Sequence, residues 1–191
     1  MDLQVKSLLI ICYDASMRLF IAAELPEPLR EALAETSAAL RDSVHGRFVA
    51  SDSFHVTLAF LGEVPGARVS ELADALDVAC AHHQAFTAQL GELGCFGKRA
   101  RATLWQGFRD PAPFKALATD VRAQLTRIGF EFDAKPFRPH ITLMRSADLS
   151  SGALPACCWA EGEISNITLF SSDLSGKRPI YTALHTVELQ R

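Results

Sequence analysis

A four-residue pattern, His-x-Thr-Leu, occurs twice in this chain, and each copy marks a strand with one polar and one apolar face. The first copy begins at His55 and the second at His140, each within a run of β-branched, aromatic and aliphatic residues that is typical of a strand. Because side chains in a strand alternate between its faces, His55 shares a face with Thr57, and His140 shares a face with Thr142. Two strands that each present an imidazole and a hydroxyl predict a two-histidine active site.

The chain around the two motifs repeats the same order of elements. Helical periodicity predicts helices over residues 27–43 and 112–128, and each of them ends 12 residues before a motif histidine. A further helix is expected over residues 67–82. The strands expected outside the motifs cover residues 17–22, 86–90, 103–107, 164–171 and 180–188. The repeat indicates an internal duplication in which two lobes face each other.

Length and charge restrict the class of protein. A chain of 191 residues fits one domain, or one domain made of two similar lobes. The net charge of −3 and the pI near 6.1 disfavour a nucleic-acid binder that relies on bulk electrostatics, whereas a small or single-ended nucleic-acid substrate is compatible with them. We expect residues 1–16 to be an N-terminal extension and residues 17–191 to form a single bilobal domain.

Cysteine usage and the apolar segments indicate a cytoplasmic protein. The five cysteines are odd in number and contain no C-x-x-C pair, so neither a disulfide framework nor a zinc-ligand spacing is expected. The apolar stretch over residues 8–13 is too short to span a bilayer and lacks a signal-peptide cleavage site. We therefore expect reduced thiols, no membrane partner and a monomer in the cytoplasm.

Two facing imidazoles are suited to displacement at phosphorus. An ordinary imidazole pKa of about 6.5 lets one histidine be neutral while the other is protonated near neutral pH. One can then take a proton from attacking water while the other protonates the departing oxygen, and neighbouring threonine hydroxyls can donate hydrogen bonds to the phosphate oxygens. Zinc is the main alternative use of histidine, but a catalytic zinc usually has three protein ligands. No third ligand follows either motif at a short spacing, so we expect no metal and no cofactor.

Longer segments extend this interpretation. They are MRLFIAAELP from Met17, FHVTLAFLG around the first motif, FRPHITL around the second, and LFSS with the following YT near the C-terminus. On these segments the chain resembles the 2H phosphoesterase superfamily, and more closely its RNA 2′,3′-cyclic phosphodiesterases, also called 2′-5′ RNA ligases. The resemblance extends over residues 17–191.

The resemblance implies a fold and an activity. The implied fold is α+β, with two pseudo-symmetric lobes of antiparallel β-sheet backed by helices and a central cleft that carries both His-x-Thr motifs. The implied activity is metal-independent hydrolysis of a 2′,3′-cyclic phosphate at an RNA 3′ end, or on a related small nucleotide, to a 2′-phosphomonoester. In this scheme His55 donates a proton to the 3′ oxygen, His140 activates water, and Thr57 and Thr142 hold the phosphate.

Several alternatives stay open at this point. Arg138 would meet phosphate at the cleft edge or pair with a surface carboxylate, and Tyr181 would contact a base or be a buried strand tyrosine. The basic segment over residues 98–101 would steer RNA or be a solvated loop. Met144 stands where many relatives have a smaller residue, and it would crowd the cleft. The functional alternatives are a non-catalytic RNA-end or nucleotide-binding module and a 2′-5′ RNA ligase acting on tRNA halves.

Overall fold

The computed structural model describes residues 16–133, 135–150, 154–176 and 178–191, so nearly all of the expected N-terminal extension lies outside the described residues. The strands and helices in chain order are β1 (Ser16–Glu24), α1 (Glu27–Leu40), β2 (His45–Phe48), β3 (His55–Pro65), α2 (Val69–Cys80), β4 (Phe86–Phe96), β5 (Ala102–Phe108), α3 (Ala112–Arg127), β6 (Ile141–Asp148), β7 (Glu161–Ile164), β8 (Asn166–Asp173) and β9 (Ile180–Glu188). Short 3₁₀ turns cover Ser51–Ser53, Gly66–Arg68 and Arg99–Arg101.

The strands form two antiparallel sheets, and each sheet carries one motif. The first sheet has the order β3-β1-β8-β9, and the second has the order β2-β6-β5-β4-β7. The first motif begins β3, whereas the second runs from the residue before β6 into that strand. The predicted α+β fold with two lobes of antiparallel sheet is thereby confirmed.

The two lobes share a local topology. In the first lobe β1 leads into α1, and the chain returns as β3, which pairs antiparallel with β1. In the second lobe β5 leads into α3, and the chain returns as β6, which pairs antiparallel with β5. The equal spacing from helix to motif does not hold, because α1 ends at Leu40 and α3 at Arg127, and because β2 and a 3₁₀ turn lie between α1 and β3. The duplication is one of topology rather than of segment lengths.

Some strand boundaries differ from those that the sequence predicts. The sequence pattern misses β2, which is four residues long and contains Gly46, and β4 continues to Phe96 through part of a segment expected to be a connection. The single strand expected over residues 164–171 is divided at Ser165, since β7 pairs with β4 in the second sheet and β8 pairs with β1 in the first. Apolar periodicity does not reveal this division, because strands of either sheet bury apolar side chains.

The helices cover the sheets with the apolar stripes that their periodicity predicts. In α1, Leu29, Leu33 and Leu40 are fully buried, and each such side chain stabilises the fold by roughly 1.5–3 kcal/mol. The buried residues of α2 and α3 include Leu72, Leu76, Phe114, Leu117 and Val121. Among the described residues, no helix is long and apolar enough to cross a membrane.

Candidate active site

Both motifs open onto one cleft between the sheets. In the first sheet His55 is the register partner of Glu24 on β1, and Thr57 is the partner of Ala22. In the second sheet Thr142 is the register partner of Trp105 on β5. The two histidines and the two threonines of the motifs line a single cavity of about 750 Å³. The structure therefore brings together the imidazole–hydroxyl pairs that the sequence places 85 residues apart.

The His55 ring is held by hydrogen bonds on both nitrogens. Its Nδ1 lies 2.8 Å from the carbonyl oxygen of Ser53, and because a carbonyl only accepts, Nδ1 carries the proton and donates it. Its Nε2 lies 3.0 Å from Oγ1 of Thr57. In the neutral ring Nε2 is an acceptor, so the Thr57 hydroxyl donates to it. The backbone of the 3₁₀ turn thus fixes the tautomer of the ring. The hydroxyl of the same motif is hydrogen-bonded to Nε2, the nitrogen that can take up a proton.

The His140 ring is oriented in the same way by its own preceding backbone. Its Nδ1 lies 2.7 Å from the carbonyl oxygen of Arg138 and donates to it. In both motifs the acceptor is the carbonyl of the residue two positions before the histidine. This shared arrangement leaves Nε2 of the neutral ring as the acceptor in each motif, as proton transfer to Nε2 requires.

Aromatic rings surround both imidazoles. The His55 ring lies 4.9 Å from the ring of Phe20 and 5.4 Å, edge to face, from the ring of Tyr181. The His140 ring lies 4.9 Å, edge to face, from the ring of Phe96. Apolar neighbours replace water around each histidine, which disfavours the charged imidazolium.

Burial lowers the pKa of both histidines. For His55 the loss of solvation, with smaller contributions from the positive charges of Arg145 and His140, lowers the pKa from 6.5 to about 4, against the Ser53 hydrogen bond, which raises it. For His140 burial likewise lowers the pKa, with smaller contributions from Arg145 and Arg138, while the hydrogen bond to the Arg138 carbonyl raises it. The empty site is therefore tuned to hold two neutral imidazoles at neutral pH.

Arg145 is a cleft residue that the sequence pattern misses. Strict alternation from His140 and Thr142 would place it on the core face of β6. The register between β5 and β6 shifts, however, because Trp105 pairs with Thr142 and Leu104 with Met144. The bulge inserts one extra residue and reverses the faces beyond it, so Arg145 lines the cleft beside both histidines.

The same irregularity occurs at the same position of the first motif. Ile21 pairs with Ala59 and Ala22 pairs with Thr57, so Leu58 is the extra residue of β3. Its carbonyl oxygen accepts a hydrogen bond at 3.1 Å from Nε of Arg122 on α3. The fourth residue of each His-x-Thr-Leu motif is thus a bulge, and in the first lobe a helix arginine secures it.

The bulge also decides the position of Met144. The side chain is fully buried in the core and does not line the cleft. The expected crowding of the cleft by Met144 is therefore wrong, because the bulge directs both Leu143 and Met144 into the core.

The two remaining predicted site residues lie in different environments. Tyr181 lines the cleft and is half-buried, and burial raises the pKa of its hydroxyl, against the opposing charges of Arg145 and Arg18. Arg138 does not line the cleft, and its guanidinium lies 5.8 Å from the centroid of the Trp105 ring. Its backbone carbonyl is what reaches the site, through His140.

The cleft is strongly basic within an acidic chain. Over the ranges that the structure describes, its lining contains no aspartate or glutamate, although the chain has 22 acidic and 19 basic residues. The lining arginines are Arg41, Arg47, Arg145 and Arg178. Such a concentration of one charge in a concave site favours an anionic ligand. The basic turn Arg99–Arg101 is not part of the lining.

Two of the other histidines pair with carboxylates. His83 lies 2.8 Å from a carboxylate oxygen of Asp120, and His185 lies 2.8 Å from one of Asp77. In the part of the chain that the structure describes, no group of three or more His, Cys, Asp or Glu residues is arranged to hold a metal ion.

Comparison with known proteins adds sequence relatives to this geometry. A family model described as LigT like Phosphoesterase matches residues 23–105 and 110–181. A protein of Escherichia coli named RNA 2′,3′-cyclic phosphodiesterase is 36% identical over 87% of this chain and 93% of that protein. A Thermus thermophilus protein with the same name is 33% identical over 91% of each chain. A Geobacillus stearothermophilus protein of that name is 36% identical over 66% of this chain but only 41% of its own length.

Solved structures give the same result. The crystal structure of E. coli LigT in apo form is 34% identical, covers 93% of this chain and 100% of that chain, and superposes with a TM-score of 0.74. A crystal structure from Thermus thermophilus is 29% identical, covers 91% of this chain and 98% of that chain, and gives a TM-score of 0.81. The E. coli protein has also been crystallised with 3′-AMP, with 34% identity, coverages of 92% and 99%, and a TM-score of 0.71.

Proposed function

Since this chain belongs to the LigT-like phosphoesterase family, we propose that it hydrolyses RNA 2′,3′-cyclic phosphate ends to 2′-phosphomonoesters by a two-histidine acid–base mechanism. The observation that carries the proposal is the single basic cleft in which His55 and His140 hold the same tautomer. The names of the relatives support the choice of substrate. The E. coli structure complexed with 3′-AMP supports a nucleotide as the ligand.

In this mechanism His140 is the general base. Its Nε2 takes a proton from a water molecule as the water oxygen attacks phosphorus. The Nδ1 hydrogen bond to the Arg138 carbonyl keeps the ring in the tautomer that this transfer requires. The low pKa of His140 keeps the ring neutral and available as a base at neutral pH.

His55 is the general acid. As the bond between phosphorus and the 3′ oxygen breaks, Nε2 of the protonated ring gives its proton to that oxygen, which leaves a free 3′ hydroxyl and a 2′-phosphomonoester. A pKa near 4 disfavours the required imidazolium in the empty site. A bound phosphate supplies a negative charge beside the ring and raises this pKa, so His55 gains its proton as the substrate enters.

Thr57, Thr142 and Arg145 hold the phosphate. The Thr57 hydroxyl donates to Nε2 of His55 in the empty site, and its rotation toward a phosphate oxygen would release that nitrogen for proton transfer. Thr142 occupies the equivalent position in the other motif. Arg145 adds a guanidinium that can donate two hydrogen bonds to one phosphate, and its charge balances the negative charge that develops on the non-bridging oxygens.

The experiment that tests the function is incubation of the purified protein with a short RNA that ends in a 2′,3′-cyclic phosphate. The position of the product phosphate is read by NMR or by sensitivity to a 2′-specific treatment. We expect a 2′-phosphate and a free 3′ hydroxyl. Binding without turnover would instead support a non-catalytic RNA-end module, and a joined product from two RNA halves would support the ligase alternative.

Metal independence gives a first prediction. Because the proposed base and acid are both imidazoles, hydrolysis should continue at an unchanged rate after prolonged dialysis against a chelator. The measurement is the initial rate before and after dialysis, with zinc, manganese and magnesium added back separately. Loss of the rate and its recovery with one of these ions would show that a metal activates the water, and it would remove His140 from the role of general base.

The threonines give a second prediction. Thr57→Val and Thr142→Val keep the branched shape and the strand preference but remove the hydroxyl. Each should cost roughly 1–3 kcal/mol of transition-state stabilisation, about a 5- to 150-fold loss of kcat/KM. Thr182→Val on β9, an exposed strand residue outside the cleft lining, is a matched control. Thermal melting separates the roles, since a structural threonine would lower the melting temperature while the folded fraction stayed fully active.

A further inference from the structure

Arg47 and Arg145 form a pair of like charges on neighbouring strands. They are register partners across β2 and β6, which brings their Cβ atoms to within about 4.5–5.5 Å of each other. Both side chains line the cleft. Like charges directly opposite each other destabilise a sheet. Two arginines at these positions are therefore favourable only when an anion lies between or beside them.

Within the described residues, no carboxylate supplies that anion. Among the described residues, no aspartate or glutamate oxygen lies within 4.0 Å of a nitrogen of either guanidinium. The described residues that line the cleft likewise include no acidic residue. The pair is therefore neutralised from solution or by a ligand.

The backbone holds Arg47 tightly against β6. A Cβ atom at the preceding residue, Gly46, would lie 2.9 Å from the carbonyl oxygen of Ser146 and 3.0 Å from Cα of Ala147. Ser146 itself has a positive φ of 52°, a conformation that is costly for a residue with a side chain. This close and strained contact between β2 and β6 seats Arg47 opposite Arg145.

Arg41 is a further arginine of the cleft lining. The guanidinium carbon of Arg41, at the end of α1, lies 4.5 Å from the centroid of the Phe48 ring. Stacking on an aromatic face orients a guanidinium without neutralising its charge. Arg41, Arg47 and Arg145 thus bring three positive charges to the lining of one cleft.

Arg145 acts more strongly on the motif histidines than Arg41 and Arg47 do. Arg145 lowers the pKa of both His55 and His140, whereas neither Arg41 nor Arg47 is among the charges that shift them. A cyclic phosphate held by the histidines and Arg145 carries one negative charge, which balances only one of the three guanidinium charges of Arg41, Arg47 and Arg145. A cleft of about 750 Å³ has room for more than one nucleotide group.

We infer that Arg47, together with Arg41, forms a second phosphate subsite that binds the phosphate on the 5′ side of the terminal nucleotide while the cyclic phosphate contacts the motif histidines. The inference rests on the proposed function and deepens it, since it makes a chain end with an internal phosphate the preferred substrate over a free nucleoside cyclic phosphate. A diester to a preceding nucleotide and a 5′-phosphate on the same nucleotide offer the same chemistry at this position.

The experiment compares kcat/KM for three substrates that share one base. They are the nucleoside 2′,3′-cyclic phosphate, the same compound with a 5′-phosphate, and the dinucleotide that ends in the cyclic phosphate. A charge-assisted contact is expected to raise kcat/KM of the two larger substrates about 10- to 100-fold over the first. Arg47→Gln should remove most of this gain. Arg99→Gln, which deletes the same charge from an exposed turn outside the cleft lining, should keep it.

The outcomes separate the subsite from the activity. A wild-type protein that hydrolyses none of the three substrates contradicts the proposed function. A protein that hydrolyses all three with equal kcat/KM has the function but lacks the subsite. If the gain in kcat/KM survives Arg47→Gln, the preference belongs to another contact. If the gain falls equally in Arg99→Gln, the preference belongs to the overall charge. Either result overturns the inference. A gain for the dinucleotide alone that Arg47→Gln removes assigns the subsite to the diester, whereas a gain for both assigns it to the phosphate itself.

Discussion

His55→Ala and His140→Ala should each lower kcat for a cyclic phosphate by roughly 10²- to 10⁴-fold, because each variant removes one of the two proton transfers at phosphorus. The kcat of the double variant should be little lower than that of the less active single variant, since the two imidazoles act as one unit in a single displacement. The measurement is the initial rate on a cyclic phosphate end at saturating substrate, with the product phosphate position confirmed for any residual activity.

A matched control distinguishes loss of chemistry from loss of structure. His83 pairs with Asp120 outside the cleft, so His83→Ala removes an imidazole without touching the proposed machinery and should retain the rate. Melting curves of all variants should stay cooperative. A single His55 or His140 variant that hydrolyses the substrate at nearly the wild-type rate would disprove the assignment of that residue, even if the fold and the cleft are unchanged.

The sequence predicted the fold where periodicity is strong and failed where pairing is nonlocal. Helices α1, α2 and α3 were expected because apolar residues recur at helical spacing over several turns. Strand β2 was missed because a four-residue strand with Gly46 has too few positions to show alternation. The division at Ser165 was missed because the choice between two sheets depends on partners far away in the chain.

The candidate site was predictable to the extent that it follows strict alternation. His55, Thr57, His140 and Thr142 precede the bulges, so their shared face followed from residue spacing alone. Arg145 follows a bulge, and its position required the register of β5 against β6. One signal was available, since both motifs carry two apolar residues in succession directly after the threonine. Two adjacent buried positions in an otherwise alternating strand indicate a bulge.

Arg47 illustrates a different limit. Nothing in its local sequence relates it to the second motif, almost 100 residues later. Its proximity to Arg145 arises because β2, which follows α1 of the first lobe, crosses to the edge of the second sheet. Because β2 pairs with the second sheet, it connects the two lobes. It also places the charge of Arg47 on the side of the cleft that the second sheet forms. The cleft therefore carries positive charge that lies outside the two motifs.

Among solution conditions, pH should have the largest effect on activity, and kcat/KM should fall as the pH rises. From the ordinary imidazole pKa of about 6.5, a two-histidine enzyme would have an optimum near neutral pH. Here burial lowers the pKa of His55 to about 4 and also lowers that of His140. Since the proposed mechanism requires one protonated and one neutral ring, kcat/KM should follow a bell whose two limbs both lie below 6.5. Above the upper limb both rings are neutral, and kcat/KM should fall tenfold per pH unit, about 100-fold between pH 6.5 and ~8.5.

The upper limb can be measured without acid denaturation. A histidine whose pKa in the folded protein lies below its unfolded value contributes stability above pH 6.5 that is lost as the pH falls toward 4, so the profile is recorded from about pH 5 upward with melting checked at each pH. The limb should lie at a higher pH in the kcat profile than in the kcat/KM profile, because bound phosphate raises the pKa of the imidazolium.

Arg145→Gln should also move the upper limb to higher pH, since that charge helps to lower both pKa values. The two histidines titrate as a coupled pair, so the single variants are needed to assign the limb. An upper limb of kcat/KM at or above 6.5 in the wild-type protein would contradict the two depressed imidazole pKa values on which the proposed division of acid and base depends.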